Sequence, residues 1–95
     1  MDRITTTIKR AYLAEIAAGK KNTEYRDIKP YWRKKLSAVS LPFELRLING
    51  MQKRAPEVTV LIDRIRSNRG TRQYELHIAK VLRLLHWDKR RRVPK

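Results

Sequence analysis

The chain has 95 residues, 41% of them hydrophobic, and carries 24 Lys and Arg against 9 Asp and Glu, a formal net charge of +15. That length holds one small domain and leaves no room for a second, and the hydrophobic share argues against wholesale disorder. There is no cysteine, which excludes disulfides, thiolate metal sites and a cysteine nucleophile, and no apolar run approaches the roughly 20 residues of a membrane span.

Ile4 to Ile8, three consecutive Thr between Ile residues, predicts a short strand. Lys9 to Ala18 reads as a helix in which Tyr12 and Ile16 form an i,i+4 apolar pair. Gly19 fits its C-terminal cap, where a positive φ costs glycine nothing. Thr23 to Asp27 reads as extended. Pro30 fits the first position of a second helix through Tyr31 to about Leu36, with Asp27 placed against its positive end.

Pro42 precedes an alternating strand, Phe43, Leu45 and Leu47 on one face, Glu44, Arg46 and Ile48 on the other, ended by Asn49-Gly50. Val58, Val60 and Ile62 alternate in the same way. Ile65 breaks the parity and predicts a bulge near Asp63–Arg64. Ser67 to Gly70 reads as a turn. Tyr74, Leu76 and Ile78 open a last long strand, which Val81 to Trp87 either complete or follow as a second apolar segment.

The order is strand, helix, strand, helix, then three strands with tight turns. It predicts an α+β, mainly β, domain over residues 1–88: an antiparallel sheet curled into a small β-barrel, which removes exposed edges, flanked by two short helices. Residues 89–95 form a basic C-terminal tail.

The densest chemistry lies in Gly19-Lys20-Lys21-Asn22-Thr23-Glu24-Tyr25-Arg26-Asp27. On an extended segment Glu24 and Arg26 share a face with Asn22, while Lys21, Thr23 and Tyr25 take the other unless the turn after Gly19 twists Lys21 across. A carboxylate beside a guanidinium and an ammonium can orient a polar ligand or hold a phosphate. The same residues also suit a surface ion-pair cluster worth under about 1 kcal/mol.

Gly19-Lys20-Lys21-Asn22-Thr23-Glu24-Tyr25-Arg26, just after a short helix, resembles the Gly-x-Lys-x-x-Glu-x-Arg signature of ASCH domains, which are similar to PUA domains. The flanks Ile4–Ile8 and Asp27–Trp32 agree, as do Leu47-Ile48-Asn49-Gly50 and Tyr74 to Leu82, so the resemblance spans most of residues 3–87. It implies a PUA-like β-barrel and a cleft that receives RNA or a nucleotide-like ligand, with Lys21, Glu24 and Arg26 at the polar signature positions. Some relatives are amidohydrolases acting on acetylcytidine through a Lys, a Thr and a distant Glu. Lys21 matches that Lys, the Thr position holds Glu24 with Thr23 one place earlier, and Glu75 is the candidate for the distant acid. Others have been proposed as ribonucleases. Binding is therefore the leading expectation and hydrolysis the alternative.

Other residues point to the same class of partner. Tyr31 and Trp32, among Arg33, Lys34 and Lys35, either stack on bases at about 1–3 kcal/mol each or pack the second helix onto its sheet. Arg46, Arg64 and Arg66 form a basic surface if they share an outer face, and Arg46, Arg64, Arg66, Arg69 and Arg72 together favour a polyanion, because a guanidinium forks onto phosphate. Lys89, Arg90, Arg91 and Arg92, with Lys95, offer up to about five phosphate contacts, a salt slope of roughly 3–4 on single strands. His77 and His86 lack a third ligand at metal-like spacing. The chain is thus expected to be a cytoplasmic monomer with no metal, cofactor or membrane partner, binding RNA first and DNA as the rival.

Overall fold

The computed structural model describes residues 1–88 and 93–94. In chain order the elements are β1 (Arg3–Thr7), α1 (Arg10–Ala17), β2 (Thr23–Asp27), α2 (Pro30–Ser37), β3 (Phe43–Ile48), β4 (Glu57–Asn68) and β5 (Gln73–Leu85), followed by a short pair, β6 (Trp87–Asp88) and β7 (Val93–Pro94). The run Lys89, Arg90, Arg91, Arg92 and the terminal Lys95 lie outside the described residues.

The alternation in β3 buries Phe43, Leu45 and Leu47 completely and leaves Glu44, Arg46 and Ile48 half-buried on the opposite face. Val58, Val60 and Ile62 of β4 and Leu76 and Ile78 of β5 continue the apolar face. Two helices cover it, α1 through Leu13 and Ile16 and α2 through Trp32 and Leu36. Gly19, at φ +75, closes α1 as expected. Pro30 starts α2, while Asp27 pairs at 3.6 Å with Lys29, the residue that caps that helix.

The five long strands form one sheet in the order β1-β3-β4-β5-β2. Two features differ from expectation. The sheet is mixed, because β1 pairs parallel with β3; the chain between them is long enough for the crossover that a parallel pair requires. It is also an open, curled half-barrel, with β1 and β2 as free edges. The curl has a local cause. The β4–β5 register slips at three places, past Asp63, Ala79 and Leu82, and each bulge adds twist to the longest strand pair. The first of these is the bulge that the parity break at Ile65 predicts.

Of the i,i+4 residues Tyr12 and Ile16, Ile16 faces the core and Tyr12 is 45% exposed. Asn49-Gly50 opens a longer loop, not a tight hairpin turn, since β4 begins only at Glu57. Asn49 uses its side chain in that loop to donate from Nδ2 to the Ile8 carbonyl at 2.9 Å, holding the exit of β1. Among the described residues no helix is long and apolar enough to cross a membrane.

Candidate functional site

In β2, Glu24 pairs with Leu76 and Arg26 with Tyr74, so both charged side chains project onto the apolar, concave face of the sheet. Glu24 is 3% exposed. A carboxylate held this far from water must have partners, and Glu24 has three. Its Oε1 accepts from the Tyr25 backbone N–H at 3.2 Å and lies 3.5 Å from Lys21 Nζ, and its Oε2 accepts from Arg26 Nη2 at 2.9 Å.

Arg26 is placed from three sides. Nη2 also donates to the Thr7 carbonyl at 2.9 Å, across the gap between the two free edges. The guanidinium lies 5.2 Å from the centroid of the Trp32 ring, which the first turn of α2 holds beneath it. Its Nε is buried without a hydrogen-bond partner.

Lys21 precedes β2 and escapes the strand alternation. The Lys20 and Lys21 backbone N–H groups both donate to the Glu15 carbonyl, which wraps the chain tightly around the end of α1 after Gly19. This turn brings the Lys21 ammonium against Glu24 and to 5.0 Å from the ring centroids of both Tyr12 and Tyr25. These groups line a cleft of about 740 Å³, with Lys9, Asn49 and Gln73 among its other lining residues. The cleft is cationic on balance, has two aromatic walls, and sits at the seam between the edge strands. Because Glu24 is almost wholly buried and directed at Arg26 and Lys21, it orients these two cations and does not present itself to a base N–H.

The structure thus brings Lys21, Glu24 and Arg26 together and leaves the other hydrolase candidates elsewhere. Thr23 pairs with His77 on the outer face of β2, with its hydroxyl 3.3 Å from Asn22 Oδ1. Glu75 lies on that outer face between Tyr25 and Arg66 in register, accepting from Asn68 Nδ2 at 3.1 Å. Neither converges with Lys21 in the cleft. Trp32 is 8% exposed with one face against Arg26, so it supports the site from beneath and offers no platform for a base. Tyr31 is 58% exposed, edge-on to Trp32 at 5.8 Å, with Lys35 Nζ 5.4 Å from its ring.

Arg46, Arg64 and Arg66 do share the outer face, but they are not equivalent. Arg46 donates from Nε and Nη2 to both carboxylate oxygens of Glu57, at 2.5 and 3.2 Å, and this pairing holds its proton more firmly than usual. Its charge is largely cancelled. Arg64 and Arg66 are exposed and form no ion pair among the described residues. Beside them His77 Nδ1 lies 2.7 Å from Asp63 Oδ1; this hydrogen bond holds the Asp63 carboxyl below the ordinary aspartate range, assisted by the charges of His77 and Arg64. Among the described residues no group of three His, Cys, Asp or Glu side chains could hold a metal ion.

Tyr12 and Tyr25 are the site residues that the sequence reading missed. Tyr25 was visible inside the signature, on the face that alternation gives it with Lys21, but its ring was not read as part of the cleft. Tyr12 carried no signal beyond its place in the first turn of a helix whose preceding residues, Ile8 and Lys9, also line the cleft. Compared with known proteins, the chain matches no family model, no curated protein and no solved structure.

Proposed function

We propose that this chain is an ASCH-like domain of PUA-like architecture whose seam cleft receives RNA or a nucleotide-like ligand. The observation that carries the reading is the buried Glu24–Arg26 pair with Lys21 beside it, placed by the Gly19–Arg26 segment at the bottom of a cationic cleft. A buried ion pair is weak support for stability, because its desolvation offsets most of its attraction. Its presence here is better explained as orientation of cations toward a ligand.

On this reading Lys21 supplies a mobile ammonium for a phosphate or a base acceptor, Arg26 is held in a fixed orientation by Glu24, Thr7 and Trp32, and Glu24 makes no contact of its own. Arg64 and Arg66 add sequence-blind phosphate contacts from the outer face. Binding is preferred to hydrolysis because neither Thr23 nor Glu75 lines the cleft that Lys21 lines.

The test is a titration of single-stranded RNA, structured RNA and duplex DNA against the full chain at two salt concentrations. The reading expects RNA to bind more tightly than duplex DNA at both, with a difference that survives at the higher salt. Equal binding of all three, vanishing together as salt rises, would reduce the protein to a charge-driven polyanion binder and overturn it.

A further inference from the structure

Two tyrosines from different elements, Tyr12 of α1 and Tyr25 of β2, turn toward one ammonium, and each remains close to half exposed, at 45% and 47%. A tyrosine whose function is only to pack has no need to stay open on one side of a polar cleft. Each centroid is 5.0 Å from Lys21 Nζ, so the two rings stand no more than about 10 Å apart. Stacked aromatic centroids lie about 4.5–7 Å apart, so the space between these walls admits at most one planar ring.

We propose, resting on the reading of the cleft as a nucleic-acid site, that Tyr12 and Tyr25 clamp a single base of a single-stranded segment, and that stacking, not a hydrogen-bond code, provides most of the cleft's selectivity. Glu24 is 3% exposed and held from within by Tyr25 N–H and Arg26, so it does not present an oxygen to a base edge. Lys21 is the element that gives way. Its flexible four-carbon stem lets the ammonium leave the space between the rings and follow the phosphate of the clamped nucleotide. The ligand class is one unpaired nucleotide with both a planar base and a phosphate. Duplex bases remain in their own stack and cannot enter.

The experiment compares a ten-residue single-stranded RNA with the same oligomer carrying abasic sites throughout, equal in phosphate charge, against the wild type, Tyr12→Ala, Tyr25→Leu and Lys21→Ala. The proposal expects the abasic oligomer to bind the wild type about 5- to 150-fold more weakly than the RNA. It expects Tyr12→Ala and Tyr25→Leu to weaken RNA binding, leave abasic binding nearly unchanged, and be restored by Tyr12→Phe and Tyr25→Phe. Lys21→Ala is expected to weaken both oligomers. If Lys21→Ala weakens both while the tyrosine variants change neither, the clamp is overturned and the cleft reading survives. If the RNA and abasic oligomers bind alike and no variant matters, or if neither oligomer binds, both are overturned.

Discussion

Arg26 Nη2 stands 2.9 Å from the Thr7 carbonyl oxygen, so a single guanidinium joins the two free edges of the sheet, β1 and β2. The same nitrogen holds Glu24, and the face of the same group rests on Trp32. One side chain therefore both bridges the two edges and lines the cleft.

This dual role predicts a large stability effect. Arg26→Ala should destabilise the domain by about 2–4 kcal/mol, because it opens the seam and leaves the buried Glu24 carboxylate with only the Tyr25 N–H and the longer Lys21 contact. Adding Glu24→Gln to Arg26→Ala should recover part of the loss by removing the uncompensated charge. Urea midpoints of the two variants and the wild type provide the comparison. A double variant less stable than Arg26→Ala would show that Glu24 is not the source of the cost.

The outer-face arginines should separate cleanly. Arg46→Ala leaves Glu57, 7% exposed, without its partner and should lower stability while changing RNA affinity little. Arg64→Ala and Arg66→Ala remove exposed cations and should leave the urea midpoint within about 0.5 kcal/mol. Each should reduce the slope of log affinity against log salt by roughly 0.7 if it contacts a phosphate of a single strand. A salt slope that falls with Arg46→Ala and holds with the other two would reverse this assignment.

One exposed pair contributes to acid stability. The hydrogen bond from His77 lowers the Asp63 carboxyl below its ordinary value of 3.8. A group with a depressed folded-state pKa contributes its full stabilisation above the unfolded value and loses it as pH falls through the folded one. Asp63→Asn should therefore reduce the thermal midpoint slightly at pH 6 and flatten its fall below about pH 4. The same slope below pH 4 in both proteins would show that Asp63 does not contribute to it.

Much of this architecture is legible in the residues. Alternation in Phe43–Leu47 and Val58–Ile62 gives the core face, the parity break at Ile65 gives the bulge past Asp63, and Gly19 and Pro30 mark the helix ends. What alternation cannot give is the relation between strands distant in sequence. The parallel placement of β1 beside β3 depends on the long crossover between them, and the curl that turns the β1 and β2 edges toward each other depends on three register slips shared between β4 and β5. The site follows the same division. Glu24 and Arg26 share a face by simple parity, whereas Lys21 meets Glu24 and Tyr12 because the turn after Gly19 wraps the chain around the end of α1, a relation that parity along one strand does not contain. Trp32 could be read as a base platform or as packing; its position under Arg26 makes it packing.

The claim that the cleft recognises its ligand is tested most directly by the affinity of Lys21→Ala for single-stranded RNA at fixed salt, measured with its urea midpoint. Lys21 ties together no strands, so its loss should leave the midpoint within about 1 kcal/mol while lowering RNA affinity about tenfold or more. Unchanged RNA affinity in a stably folded Lys21→Ala protein would contradict the account.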